Sequence, residues 1–172
     1  MSKIKIFLIF SGYQLTWLMS VFGELLYSSF LPGLICGLIF IIICFFNSNN
    51  KKKITLTVFL ISITGYLFDS SLVFFQIYNF KTSLYFGVLP IWMIVLWPSF
   101  AILFDEVLTF LSNYKIIALL LSSILGPLTY FAGSPLGLIY INNLFLFFIL
   151  MIIFWATLMI FYLNFLVKLK IN

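Results

Sequence analysis

Asp69 is the residue whose type and position in the chain could most readily support chemistry. It lies about fifteen residues into an apolar run over residues 54–79, which is about 22 Å along a helix at about 1.5 Å per residue. An ionisable group at such depth in a membrane costs about 2.5 to 3.5 kcal/mol, so it is expected to face protein and to have a partner. A functional carboxyl and a structural hydrogen-bonding role both stay open.

The candidate intramembrane polar site combines Asp69 with four side chains from other apolar runs: Gln14, Trp17, Trp97 and Tyr130. We expect one of these four to hydrogen-bond the Asp69 carboxyl. Gly65, Leu72 and Gln76 share a helix face with Asp69, which predicts an inward polar stripe.

The other three acids lie nearer the ends of their apolar runs. Glu24 falls where the first run ends, which predicts an interfacial carboxylate in contact with water. Asp105 and Glu106 are secondary site candidates near the end of the fourth run. They either reach the cytoplasmic interface or bind a proton or a lipid headgroup.

Several classes of site are excluded by composition. The chain has no histidine, which argues against the usual zinc and di-iron sites, haem ligation and histidine-based proton transfer. It has no G-x-S-x-G turn and no phosphate-binding glycine loop. Cys36 and Cys44 read as buried free thiols. We predict no cofactor and no metal, and the catalytic residues, if any exist, stay unknown.

The elements that must position these residues are membrane helices. A chain of 172 residues that is 65% hydrophobic and 8% charged, with a mean hydropathy of +1.26, has too little polar surface for a water-soluble globule. We predict an all-α, polytopic helical bundle that forms one integral-membrane domain over residues 1–172. About six spans of roughly 20 residues are expected: 4–25, 26–46, 54–79, 84–111, 116–135 and 143–167.

Lysine placement predicts the orientation of these spans. Eight lysines fall at alternate breaks between the runs, and Lys81 is the exception. The eight are Lys3, Lys5, Lys51, Lys52, Lys53, Lys115, Lys168 and Lys170. The positive-inside rule places them, and both termini, in the cytoplasm. A cleaved signal peptide is the rival interpretation of the first run, but Tyr13, Gln14 and Glu24 make a poor signal core.

Prolines and small residues modify two of the predicted helices. Pro90 and Pro98 are expected to kink the fourth span and so to open a crevice. Gly126, Gly133 and Gly137 in the fifth are expected to allow close helix packing.

The chain resembles a family of small bacterial inner-membrane proteins, domain-of-unknown-function family 2878. Four ordered motifs carry the resemblance: Tyr13-Gln14-x-x-Trp17, Gly65-x-x-x-Asp69, Pro90-x-Trp92-x-x-x-Leu96-Trp97-x-x-Phe100 and Gly126-Pro127-x-x-Tyr130-x-x-Gly133-x-x-x-Gly137. The resemblance implies a bacterial inner-membrane location. It also favours lipid handling, because genes of that family are often found near lipid-modifying enzymes. The acidic pair at 105–106 departs from the neutral polar residues expected there.

Three functions are compatible with these residues. The first is a non-catalytic or accessory protein whose intramembrane crevice binds a lipid or other apolar molecule. The second is a lipid-modifying membrane enzyme that uses Asp69 with Tyr130 assisting, and the third is a small proton-coupled transporter in which Asp69 loads and unloads a proton. The expected partners are membrane lipids. Nucleic acid is not expected, since the lysines border apolar spans instead of forming an aromatic-interleaved patch.

Overall fold

The computed structural model describes residues 3–166, apart from the side chains of residues 3, 108–110 and 166. Six α-helices form within this range. They are α1 (Lys3–Tyr27), α2 (Leu31–Phe46), α3 (Lys51–Phe74), α4 (Met93–Glu106), α5 (Lys115–Phe131) and α6 (Leu144–Phe161). A 3-10 helix, Leu108–Asn113, precedes α5, and a π-helical turn, Tyr162–Leu166, continues α6. The predicted cytoplasmic Lys168 and Lys170 lie outside the described residues.

Polar residues set where several helices begin. Asn50 caps α3 by accepting a hydrogen bond from the Lys53 amide at 2.9 Å, and Asn143 caps α6 in the same way. A proline in the first turn of α2 occupies a position where no amide hydrogen is needed. These boundaries agree with the predicted breaks between the apolar runs to within a few residues.

Helix α4 is the central element of the bundle. Its side chains are mostly buried, and it packs against α1, α2 and α3. Helices α5 and α6 pack on each other and complete the bundle through the aromatic core that Trp97 and Trp155 share. The helix that carries Trp97 is therefore surrounded by protein, as a site-bearing helix in a membrane should be.

The prediction of a helical span over 84–111 is wrong in its first third. Residues in this stretch form a hairpin of two strands, β2 (Tyr85–Phe86) and β3 (Leu89–Pro90), and α4 begins only at Met93. Gly87 adopts a φ of +64° at the first position of the two-residue loop, a conformation typical of tight hairpin turns. Pro90 therefore lies in a strand, where it kinks no helix, whereas Pro98 does lie inside α4.

A second pair of strands joins distant parts of the chain. Strand β1 (Tyr78–Phe80) follows α3 and pairs antiparallel with β4 (Ile139–Ile141), which precedes α6. Neither strand appears among the sequence predictions, in which these residues lie in or beside helical spans. The pairing ties the α3 side of the bundle to the α5–α6 pair.

The two ends of the bundle differ in charge. Lys5, Lys53, Asp105 and Glu106 lie at one end, which we call the lysine-rich end. Lys81 lies at the opposite end with the β2–β3 hairpin, and we call this the hairpin end. Which of the two ends faces the cytoplasm stays a prediction.

Three helical stretches of the described chain are long and apolar enough to cross a membrane: Ile4–Tyr27, Lys51–Phe74 and Leu144–Phe165. Helices α2, α4 and α5 are shorter, with 16, 14 and 17 residues. Many large apolar side chains, such as Phe7, Ile43 and Phe145, are exposed on the outside of the bundle. An apolar exterior is what a surrounding lipid phase requires.

Candidate functional site

Asp69 lies at the centre of a buried hydrogen-bond cluster. Its side chain is 0% exposed, and three donors converge on its carboxylate. The Tyr78 hydroxyl donates to Oδ1 at 2.7 Å, while Trp97 Nε1 and the Tyr130 hydroxyl both donate to Oδ2 at 2.8 Å. The expectation of a partner among the candidate residues is confirmed, with Trp97 and Tyr130 as two of the three. We call these four residues the Asp69 cluster.

Each donor reaches Asp69 from a different element. Trp97 is on the central helix α4, Tyr130 is at the end of α5, and Tyr78 opens strand β1. Tyr78 gets there because α3 ends at Phe74 and the chain reverses through Gln76, whose φ is +55°. Gln76 lies in this turn with its side chain exposed, so its predicted place on an inward polar stripe is wrong.

Two glycines allow the indole rings of the core to approach neighbouring helices. A Cβ atom at Gly65 on α3 would overlap the Trp97 ring, and one at Gly126 on α5 would overlap the Trp155 ring. The two indoles stack with centroids 5.8 Å apart and an interplanar angle of 18°. The predicted close packing at Gly126 is thus confirmed, and Gly65 serves the Asp69 cluster by admitting the ring that donates to it.

A cleft of about 600 Å³ lies beside the Asp69 cluster, between α1 and α5 with walls from α4 and α6. Four of the five predicted site residues line it: Gln14, Trp17, Trp97 and Tyr130. Asp69 does not line the cleft but lies behind Trp97 and Tyr130. The predicted site therefore has two parts: four residues that line the cleft, and a buried Asp69 that holds two of them by hydrogen bonds.

The rest of the lining is almost entirely apolar. It includes Phe10, Phe100, Phe104, Leu111 and Ala118. None of the lining residues in the described part of the chain carries a charge. The cleft is thus an apolar chamber with a few hydroxyl, amide and indole groups in its walls.

Comparison with known proteins identifies the family. The sequence model of the family described as "Protein of unknown function (DUF2878)" matches residues 6–161. The chain belongs to this family. No match was found among curated proteins or among solved structures. Family membership confirms the resemblance seen in the sequence, and the matched range contains the whole cleft and the Asp69 cluster.

In this member of the family, the acidic pair at 105–106 bonds to lysines. Asp105 lies 2.8 Å from the Lys53 ammonium, and Glu106 lies 2.8 Å from that of Lys5. The Ser48 hydroxyl also donates to Glu106, at 3.4 Å. These contacts join α1, the α2–α3 loop and α3 to the end of α4. They favour the interfacial interpretation of the pair over a proton-binding one.

Glu24 is not the water-exposed carboxylate predicted. It is only 8% exposed and binds the loop after β1, accepting hydrogen bonds from the Ser83 amide at 2.8 Å, from the Ser83 hydroxyl and from the Thr82 hydroxyl. The loop covers the carboxylate, so Glu24 fixes this loop to α1 at the hairpin end.

Sequence reasoning missed three residues of the site. Tyr78 donates to Asp69, Trp155 stacks on Trp97 in the cleft wall, and Tyr13 lines the cleft beside Gln14. Tyr13 is adjacent to a predicted residue and could have been included on that ground. Tyr78 carried no signal, because its contact depends on a turn that the hydropathy pattern does not reveal.

Proposed function

We propose that this protein binds a lipid or other apolar molecule in the cleft between α1 and α5, as a multi-pass protein of the bacterial cytoplasmic membrane. The observation that carries the proposal is the cleft itself. Its volume of about 600 Å³ falls within the range of about 300 to 1,000 Å³ that is typical of small-molecule sites. Its lining is mostly apolar with a few polar groups, which is also typical of such sites.

The position of Asp69 favours binding over catalysis and over proton transport. A catalytic acid or a proton carrier has to reach a substrate or a water path. The Asp69 carboxylate is fully buried, is held by three donors and is separated from the cleft by the side chains it binds. It is better suited to hold Trp97 and Tyr130 in place than to exchange protons with a ligand.

A matched pair of substitutions on α5 tests the proposal. Leu121 lines the cleft and is 41% exposed, whereas its neighbour Leu120 is 57% exposed and lies outside the cleft. Leu121→Trp should fill part of the cleft, while Leu120→Trp should add the same ring to the outer surface. Both changes occur at partly exposed positions, where a larger apolar side chain is tolerated better than in a packed core.

The measurement is native mass spectrometry, with lipid extraction, of protein purified in a mild detergent. We expect a specific molecule to co-purify with the wild type and with Leu120→Trp, and to be depleted in Leu121→Trp. If all three proteins carry only the bulk membrane lipids in the same proportions, the cleft is not a binding site and the proposal is wrong.

A further inference from the structure

Each hydroxyl group on the α5 wall of the cleft already donates its proton in a hydrogen bond within the protein. Ser122 and Thr129 donate to main-chain carbonyl oxygens in the preceding turn, at 3.0 and 2.8 Å. Tyr130 donates to Asp69 at 2.8 Å. A hydroxyl has one proton to donate but two lone pairs that accept. The α5 wall therefore offers a ligand acceptors and no hydroxyl donor.

The facing wall on α1 has the complementary property. Tyr13 and Gln14 line the cleft, and neither side chain has a hydrogen-bond partner within the described part of the chain. A phenol can donate or accept, and a carboxamide has two donor hydrogens and one acceptor oxygen. A polar ligand group placed between the walls would thus donate toward α5 and accept from α1.

The polar groups are not spread evenly along the cleft. Tyr130 and Thr129 lie toward the hairpin end, at the end of α5, and Ala118 lies toward the lysine-rich end. Ala118 and Tyr130 are twelve residues apart, about 18 Å along the helix. Phe104, Leu111 and Ala118 line the lysine-rich end of the cleft, and Ser122, one turn from Ala118, is the first hydroxyl of the α5 wall. The cleft is therefore elongated, with an apolar lysine-rich end and more polar groups toward the hairpin end.

We propose that the cleft binds a long-chain alcohol, a single apolar chain with one uncharged hydroxyl head. The proposal rests on the proposed function and names the class of ligand. The hydroxyl hydrogen is donated to the Tyr130 oxygen, and the hydroxyl oxygen accepts from the Gln14 amide. The chain extends toward Ala118 and the lysine-rich end.

Other head groups fit these walls less well. An ether or ester oxygen only accepts, so against the α5 wall it would face further acceptors. A carboxylate or phosphate would be a charge buried in a chamber whose described lining carries no cation, which is costly. The hydroxyl group is the smallest uncharged head that satisfies both walls.

Three brominated probes that differ only in the head test this inference: 9,10-dibromo-octadecan-1-ol, its methyl ether and 9,10-dibromostearate. Bromine quenches nearby indole fluorescence, and Trp17, Trp97 and Trp155 line the cleft. Saturable quenching of the detergent-solubilised protein then reports occupancy. We expect the alcohol to bind about three- to tenfold more tightly than the ether, the value of one net hydrogen bond, and the carboxylate to bind most weakly.

Tyr130→Phe keeps the ring but removes the accepting oxygen. In this variant the alcohol and the ether should bind equally, while unchanged ether affinity shows that the cleft is intact. Tyr114→Phe is the control, since Tyr114 is exposed and lies outside the cleft. Gln14→Leu is the second variant. It removes the amide that donates to the head oxygen, which the alcohol and the ether both have, so both probes should bind more weakly by about the same factor and the alcohol should keep its advantage.

The outcomes separate the two proposals. Equal binding of alcohol and ether to the wild type, or an advantage that survives in Tyr130→Phe, would overturn the hydroxyl assignment and leave an apolar cleft. Unchanged affinity of both probes in Gln14→Leu would overturn the contact with Gln14. Tightest binding of the carboxylate would overturn the uncharged head. If none of the three probes quenches saturably, the proposed binding function itself fails.

Discussion

At the scale of single residues, Asp69 is best understood as an anchor that holds cleft-lining side chains. A carboxylate that accepts three hydrogen bonds without solvent contact fixes the positions of its donors. Two of those donors, Trp97 and Tyr130, line the cleft. The depth of Asp69 in its apolar run is thus enough to single out this carboxyl from the sequence, whereas its role follows from the three donors around it.

Replacing Asp69 with Asn should lower the free energy of unfolding by about 1 to 3 kcal/mol, because an amide nitrogen must replace one accepting oxygen. Trp97 Nε1 can only donate, so the amide oxygen has to face Trp97, and the amide nitrogen then faces the Tyr78 hydroxyl. We expect the variant to insert but to lose whatever phenotype the gene supports. Unfolding in detergent and a complementation assay measure the two effects.

Ser70→Ala is the control for Asp69→Asn, since Ser70 is the next residue on α3 and lies outside the cleft. It should leave both stability and complementation close to wild type. A fully active Asp69→Asn variant with unchanged stability would show that neither the carboxylate charge nor the bond that Oδ1 accepts from Tyr78 matters. The enzyme, transport and anchor roles would then all be wrong.

At the scale of the elements, the distance between helices is set by glycines that face indole rings. Gly65 brings α3 close to α4, and Gly126 brings α5 close to α6. Without a hydrophobic driving force between helices in lipid, such close van der Waals contact is a main source of helix association. The geometry of the Asp69 cluster therefore depends on residues that take no part in its hydrogen bonds.

Gly65→Ala should destabilise the fold by about 1 to 3 kcal/mol, because the added methyl group forces the Trp97 ring to move in a packed core. Displacement of this ring also weakens its bond to Asp69, so the variant should change tryptophan fluorescence as well as unfolding. Gly133→Ala is the matched control. A Cβ there meets first the flexible tip of Ile139, at 3.0 Å, so its effect should be smaller. Equal effects of the two changes would contradict this account of helix packing.

The helices could be predicted better than the strands, because the two kinds of element leave different patterns in the sequence. Helices α1, α2, α3, α5 and α6 follow from apolar length, because a backbone in lipid must satisfy its own hydrogen bonds. The β2–β3 hairpin was missed because hydropathy alone does not separate an apolar strand from an apolar helix. The signals were Gly87 and Pro90, which are typical of a turn and of a strand at a sheet edge.

The candidate site was predictable in part of its membership but not in its layout. Depth in an apolar run picked out Asp69, and polar or aromatic side chains in other runs picked out Gln14, Trp17, Trp97 and Tyr130. The split into a buried anchor and a cleft lining depends on how helices rotate about their axes, which the nearly uniform apolar faces of these helices leave undetermined. The same limit hid Trp155 among the apolar residues of α6.

At the scale of the whole molecule, charge divides the bundle into two unlike ends. The ion pairs from Lys5 to Glu106 and from Lys53 to Asp105 join three helices at the lysine-rich end. At the hairpin end, Glu24 is buried beneath the Thr82–Ser83 loop. Each acidic side chain at an end of the bundle is thus neutralised or covered by the part of the chain that lies beside it.

This polarity predicts the topology of the protein in a membrane. Lysines near the ends of membrane helices are retained in the cytoplasm, so the lysine-rich end should be cytoplasmic and the hairpin end should lie outside. Green fluorescent protein fused after residue 172 or within the loop at residues 47–50 should fluoresce, and alkaline phosphatase fused at the same positions should be inactive. An insertion beside Lys81 should give the reverse. An external loop at 47–50 would contradict the lysine rule for this chain. A cytoplasmic loop at 47–50 together with an external C-terminus would contradict an even number of crossings, because the ion pairs place Lys5, Lys53 and Glu106 on one side.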